Sequence, residues 1–128
     1  MSTVWKFYLA ASYSRQAELR QIREGLQNLG YGVTSRWLDQ TAPHDRLSLW
    51  PMEAARDMED VRAADYFVVF TSPGVLATGH HVELGLALAW RKPYIIVGPP
   101  EGLFYTLPSA NRFDTVDEFL GAATRWAV

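Results

Sequence analysis

The sequence predicts an α/β fold: one domain in which a mainly parallel sheet of about five strands carries helices on both faces. Three observations lead there. Tyr66–Phe70 and residues 93–97 are short, uninterrupted apolar segments, the composition of strands buried on both faces, as parallel strands are. Amphipathic helical stretches alternate with the strand-like segments, the pattern of right-handed βαβ crossovers. The 128 residues have the length of one domain (typically ~100–150 residues), with no repeat, linker or low-complexity stretch to divide them. Such a doubly wound sheet, flavodoxin- or Rossmann-like, binds ligands outside the carboxyl ends of its strands.

Residues 5–10 (Trp-Lys-Phe-Tyr-Leu-Ala) are β-prone and give the first strand. Ser14 offers an N-cap for a helix through Leu29, whose Leu19, Ile22, Leu26 and Leu29 share one face, with Gly30 as the stop. A second strand is expected over residues 32–38, and a polar loop containing Pro43 over residues 41–48. Trp50-Pro51 opens a second helix, since proline fits the first turn, and Met52, Ala55, Met58 and Val61 are its expected buried stripe. Asp65 precedes the third strand, Tyr66–Phe70, as a turn cap. A third helix, apolar nearly all round, is expected from about His80 to Trp90. A fourth strand over residues 93–97 ends at Gly98-Pro99-Pro100, and a last helix over residues 115–127 turns Val116, Phe119, Leu120 and Ala123 inward. The useful loops then follow Leu9, Trp37, Phe70 and Val97.

Composition removes several classes of function. With no cysteine there is no disulfide scaffold, zinc-thiolate site or cysteine nucleophile. Twelve Lys and Arg against 14 Asp and Glu give a net charge of -2, which offers no broad basic face to a nucleic-acid polymer. No apolar run approaches the ~20 residues of a membrane span, and the N-terminus lacks a signal-peptide pattern, so the expectation is a soluble, cytoplasmic protein with no membrane partner. Five Trp, six Tyr and six Phe exceed what the length leads one to expect. Phe67, Phe70 and Phe119 read as core, and a stacking pocket can use others.

The sharpest local feature is Thr78-Gly79-His80-His81-Val82-Glu83-Leu84-Gly85, where a glycine-bearing loop leaves a buried strand and opens a helix. An acidic residue near a helix N-terminus is favoured by ~0.3–1 kcal/mol on electrostatic grounds alone. Glu83, however, is flanked by Val82, Leu84, Leu86 and Leu88 at the ligand-binding rim, with no basic partner nearby in sequence. That makes it a candidate nucleophile or general base. Among Asp57, Glu59 and Asp60, Asp57 stands nearest the apolar border of its helix. His80 and Glu83 stand at i, i+3, but no third ligand has a recognisable spacing, so neither a metal nor a cofactor is expected. Ser12, Ser14 and Arg15 can hold a phosphate at the first strand–helix turn, or simply cap the helix beside a solvated Arg. Gly-x-Gly-x-x-Gly, Walker and Gly-x-Ser-x-Gly signatures are absent, which disfavours dinucleotide oxidoreductases, P-loop kinases and serine hydrolases of that kind.

Three stretches together resemble the nucleoside 2-deoxyribosyltransferase family, which includes nucleoside 5′-monophosphate N-glycosidases. They are residues 7–12 (Phe-Tyr-Leu-Ala-Ala-Ser), residues 57–65 (Asp-Met-Glu-Asp-Val-Arg-Ala-Ala-Asp), and Gly79-His80-His81-Val82-Glu83-Leu84-Gly85-Leu86-Ala87 followed by Lys92-Pro93. The resemblance implies that Glu83 attacks the anomeric carbon, forming a glycosyl-enzyme ester. It implies further that Asp57 assists protonation of the departing base and that Tyr8 positions the nucleophile. One ionised carboxylate at the sugar and one proton donor at the leaving group are what a retaining glycosyl transfer needs. Trp37 can stack on the base or pack in the core, Arg36 can meet a phosphate, and Gly79 and His80, at the nucleophile's turn, are candidate substrate-binding residues.

The chain departs from the transferases in two places, with Ala77 where they carry an acidic residue and a shorter C-terminal segment. The expectation is therefore hydrolysis rather than base-to-base transfer, acting on a nucleoside or, preferentially, its 5′-monophosphate. The implied partners are that small molecule and, since related pockets borrow residues from a second chain, further copies of this one. Transfer proper remains an alternative. So do a non-catalytic nucleotide-binding module and NAD cleavage of the kind performed by TIR domains, although the Glu-Leu-Gly-x-Ala context is not the TIR pattern.

Overall fold

The computed structural model describes residues 4–41, 46–72 and 79–127. Strands β1 (Lys6–Ala10), β2 (Gly32–Val33), β3 (Tyr66–Phe70), β4 (Tyr94–Val97) and β5 (Asn111–Phe113) form one wholly parallel sheet in the order β2-β1-β3-β4-β5. Helices α1 (Gln16–Asn28), α2 (Trp50–Ala63), α3 (Gly79–Ala89) and α4 (Val116–Trp126) cover it. α1 packs with α4 and α2 with α3, so the two pairs lie on opposite faces. The doubly wound α/β architecture expected from the sequence is the one observed, with the strand order of flavodoxin-like sheets.

Strand alternation sorts the core. Phe7 meets Tyr31, Tyr66 and Phe119 on the α1/α4 side, while Tyr8 stacks on Phe67 on the other side, at 5.7 Å between ring centres. Leu19, Ile22 and Leu26 of α1 are buried as their spacing predicts, and Gly30 ends that helix at a φ of +97°. Phe67, Phe70 and Phe119 are core, as expected. On α4, Phe119 and Ala123 are buried and Val116 and Leu120 partly so, and Thr115 caps the helix by accepting from Glu118 N–H at 3.1 Å. No helix among the described residues is long and apolar enough to cross a membrane.

Several expectations about elements need correction. Ser14 does not cap α1; a short 3-10 turn over Tyr13–Arg15 precedes the helix, and the Ser14 hydroxyl pairs with that of Ser12 at 3.1 Å. The second strand stops at Val33 rather than residue 38, because after one more backbone bond, from Thr34 N–H to Phe7 O at 2.9 Å, side chains supply the hydrogen bonds in place of a ladder. Leu9 N–H donates to Ser35 Oγ at 2.7 Å and Arg36 N–H to Asp60 Oδ2 at 2.9 Å, and a 3-10 turn over Arg36–Asp39 follows. On α2, Met52 and Met58 are about half exposed (50% and 46%) and Ala55 is exposed, while Asp60 and Val61 are buried. The helix has turned the Glu53–Asp57–Asp60 line inward, with Arg36 receiving the buried acid. α3 is not apolar all round in its environment, since Leu84 and Ala87 are buried while Val82 is 65% exposed. β5 has no apolar run, and pairing with β4 (Ile95 with Asn111, Val97 with Phe113) defines it. Pro43, within the expected loop, lies outside the described residues.

Candidate active site

Strand order reverses between β1 and β3, and that switch point is where a doubly wound sheet opens a crevice at its carboxyl edge. A cleft of about 650 Å³ lies there, within the range (~300–1,000 Å³) of small-molecule sites. One wall is the turn after β1, from Ala11 to Ser14. Trp37 and Gln40 follow β2, α2 contributes Trp50, Glu53, Ala54 and Asp57, and α3 contributes Gly79, His80 and Glu83.

Glu83 lies on the face of α3 turned to the sheet, one helical turn below His80. Tyr8 reaches it from β1: because successive strand residues alternate faces, Tyr8 points toward α3 while Phe7 and Leu9 point away. The fully buried Tyr8 hydroxyl donates to Glu83 Oε2. Burial pushes the Glu83 carboxyl up to about 8, with further upward pressure from Asp57 and Asp60, while the bond from Tyr8 pulls it down. Burial likewise raises Asp57, to about 6, with Asp60 and Glu53 adding to the shift and Arg56 and Arg36 opposing it. Tyr8 itself is held well above the ordinary phenol value by burial and by the Glu83 charge, so it remains a hydroxyl donor. Two carboxyl groups thus share one cleft with their proton affinities pushed apart, an arrangement suited to dividing acid and nucleophile or base roles.

Of the ten residues singled out in the sequence, Ser12, Ser14, Trp37, Asp57, Gly79, His80 and Glu83 line this cleft, and Tyr8 lies directly behind Glu83. Trp37 combines both of its readings. It is only 8% exposed and its Nε1–H donates to Leu9 O at 2.8 Å, yet its ring forms part of the cleft wall. Arg15 and Arg36 do not line the cleft. Arg15 is held by Glu18 through two bonds of 2.9 Å, and by Thr71 O and Ser72 Oγ at 3.1 Å. Arg36 donates from Nε to Asp60 Oδ1 at 2.8 Å, with Nη2 2.8 Å from the same oxygen and 3.5 Å from Glu59. Each guanidinium is already neutralised by a carboxylate, which is why neither turns toward the cleft. Ala77, the departure noted above, lies outside the described residues.

Sequence reasoning passed over Glu53, Gln40, Trp50 and Glu101. Glu53 was within reach, since it stands four residues before Asp57 and therefore on the same helix face; Gln40 Nε2 donates to its Oε1 at 3.0 Å. Gln40, Trp50 and Glu101 gave no local signal, because tertiary contacts alone bring them here. His80, His81 and Glu101 place three potential ligand atoms within 4.8 Å of one another, a spacing that can hold a metal ion. These groups already hydrogen-bond: His80 Nε2 lies 3.0 Å from Glu101 Oε1, and His81 Nδ1 lies 2.6 Å from the Tyr105 hydroxyl.

Fold and cleft together define a flavodoxin-order α/β protein with a carboxylate pair at its switch point. No protein-family model matches the chain, and no curated protein sequence does. Solved structures are more informative. A 2-deoxyribosyltransferase from the psychrotolerant bacterium Bacillus psychrosaccharolyticus superposes with a TM-score of 0.71 over 90% of each chain at 20% identity. The CMP N-glycosidase BcmB of Clostridium botulinum gives a TM-score of 0.61 at 19% identity, covering 91% of this chain and 96% of that one. A conserved protein from Enterococcus faecalis V583 gives 0.65 at 16% identity, covering 98% of this chain and all of the other. The chain has the fold of these proteins.

Proposed function

We propose that this protein belongs with the nucleoside 2-deoxyribosyltransferases and nucleotide N-glycosidases and cleaves the N-glycosidic bond of a nucleoside or nucleoside 5′-monophosphate. The observation that carries this reading is the buried Tyr8 hydroxyl donating to Glu83 in a cleft shared with Asp57. The shared fold with a 2-deoxyribosyltransferase and a CMP N-glycosidase supports it.

In this reading Glu83 attacks the anomeric carbon as the bond to the base breaks, and Asp57 gives its proton to the departing base nitrogen. The products of that step are free base and a glycosyl ester on Glu83. Water then adds at the same carbon, Asp57 taking its proton, which releases the sugar and restores both carboxyl groups. In the free cleft Glu83 binds a proton more tightly than Asp57. Substrate inverts that order, because positive charge developing on the sugar favours ionised Glu83 and a base nitrogen beside Asp57 favours its protonated form. Tyr8 holds the ionised Glu83 in position meanwhile. Hydrolysis is the favoured outcome on the sequence departure already noted, Ala77 where the transferases carry an acidic residue; an acceptor base entering the same space turns the reaction into transfer.

The test is base release from a panel of nucleosides and 5′-monophosphates, with and without an acceptor base, by wild type and Glu83→Gln. Release by wild type that falls at least about 10³-fold in the variant is expected. Tight binding of a nucleotide by wild type without any base release identifies a binding module instead. The reading also takes the protein as a homo-oligomer, supported by exposed Trp50, Met52 and Met58 on α2, and light scattering measures that directly.

A further inference from the structure

His80 occupies the first turn of α3, one turn before Glu83 and on the same side of the helix. Its ring is almost completely buried, and so is the carboxylate it meets, Glu101. Glu101 is held at both oxygens: Oε1 lies 3.0 Å from His80 Nε2, and Oε2 accepts from Ser72 N–H at 3.0 Å. A carboxylate between two such groups can only accept, so the imidazole proton belongs on Nε2. The other ring nitrogen, Nδ1, is a buried polar atom with no hydrogen-bond partner among the described residues. Unpartnered buried acceptors are rare because they forfeit a hydrogen bond that water would give. Here the orphan sits on a residue that borders the cleft.

The charge of the cleft narrows what can satisfy that atom. Glu53, Asp57 and Glu83 line it, and no lysine or arginine does among the described residues. The sequence itself contains no lysine or arginine between Arg62 and Arg91, the stretch that leads into α3 and includes it. Acidic side chains disfavour a phosphate beside them, whereas a hydroxyl, which both donates and accepts, can hydrogen-bond to a ring nitrogen.

We propose that His80, oriented by Glu101, is a receptor for a sugar hydroxyl, and that the substrate is a nucleoside with free sugar hydroxyls rather than a 5′-monophosphate. This rests on the reading that Glu83 attacks the anomeric carbon. With C1′ at Glu83, the sugar's other hydroxyls extend about the width of a pentose ring away. His80 is offset from Glu83 by three residues, about 4.5 Å along the helix axis, which is of that order. His80 touches the substrate in this arrangement and Glu101 acts as a positioning residue through it.

The experiment measures base release by the whole chain from 2′-deoxyadenosine, 2′-deoxycytidine, their 5′-monophosphates, 2′,3′-dideoxyadenosine and 2′,5′-dideoxyadenosine. Expected is a kcat/KM for the nucleosides at least about 10-fold above that for the monophosphates. One of the two dideoxy analogues should lose about 10- to 100-fold against 2′-deoxyadenosine, the cost of leaving a buried acceptor unpaired. In His80→Phe the discrimination between the parent nucleoside and that analogue should collapse to within about 2-fold, whatever the variant's overall rate. Glu101→Gln, which keeps an acceptor for Nε2–H, should retain more discrimination between parent and analogue than Glu101→Ala. Monophosphates cleaved as well as nucleosides, or an equal loss on every substrate in His80→Phe, overturns the assignment. The substrate comparison on wild type decides the matter even if a variant fails to fold. Absence of base release from these six compounds and from the corresponding ribonucleosides and 5′-monophosphates of all the common bases, or full activity in Glu83→Gln, overturns the glycosidase reading itself.

Discussion

Removing the Tyr8 hydroxyl is the most direct probe of the carboxylate pair. Tyr8→Phe keeps the ring, which stacks on Phe67 with an interplanar angle of 7° and is fully buried, so packing is preserved. What disappears is the hydrogen bond to Glu83, the one influence among those acting on that carboxyl that lowers its proton affinity. A hydrogen bond to a charged group contributes about 1.5–3 kcal/mol. At 1.36 kcal/mol per pKa unit, its loss raises the Glu83 value from about 8 by roughly one to two units. If Glu83 is the nucleophile, as proposed, the same energy withdrawn from its ionised form should lower kcat/KM at the optimum by about 10- to 150-fold. The assay is base release followed from pH 4.5 to 10 for both proteins, beside thermal melts at pH 7. At that pH Glu83 remains protonated and uncharged in either protein, so the melting temperatures should agree within a few degrees. A folded Tyr8→Phe enzyme with unchanged optimum rate and unchanged alkaline limb refutes the role given to this bond.

Three other outcomes follow from the same geometry. Wild-type kcat/KM should be bell-shaped, with limbs near the values of about 6 and about 8 that bracket the singly protonated pair, and Asp57→Asn, which leaves only Glu83 to ionise and no proton donor to lose, should abolish the alkaline limb; a flat profile from pH 5 to 9 contradicts this. Because the Glu83 value in the folded protein lies above that of an unfolded carboxyl (~4.3), the native state binds the extra proton and loses stability as pH rises through about 8. Melting curves should therefore show Glu83→Gln more stable than wild type at pH 9 and similar at pH 4. Finally, Gly98 has a φ of +116°, and a Cβ there would lie 2.5 Å from Thr71 Oγ1 and 2.9 Å from Thr71 O. Urea denaturation should find Gly98→Ala destabilised by about 2–4 kcal/mol, whereas Gly25→Ala, in open space on α1, should be neutral or gain up to about 1 kcal/mol.

Much of this was legible in the chain because it depends on local pattern. The all-apolar Tyr66–Phe70 run had no plausible place except between neighbouring strands, and the Leu19–Ile22–Leu26 spacing permitted only one buried face. Elements defined by partners were hidden. β5 has neither length nor apolar character, and the second strand gave way to a 3-10 turn because Ser35 and Asp60 claimed the backbone groups near it. The Met52–Met58 stripe misled for a related reason: side-chain hydrophobicity favoured one face of α2, while the ion pair of buried Asp60 with Arg36 goes with another.

The candidate site divides along the same line. Glu83 could be nominated from sequence, since a carboxylate set among apolar neighbours at a strand-end helix carries its own physical signal; Asp57 stood out only by its place at the apolar border of α2, and Tyr8 came from the family resemblance alone. Arg15 and Arg36 were nominated for their charge and lie elsewhere, paired with Glu18 and Asp60. Sequence by itself determined the order of strands and helices, and so the edge of the sheet where a site can form. Only the tertiary structure decided which charges face one another across that edge. Periodicity is a property of neighbours along a helix or strand, whereas the burial and long-range hydrogen bonds that set proton affinities at Glu83 and fix Glu101 on His80 join residues 21 to 75 positions apart.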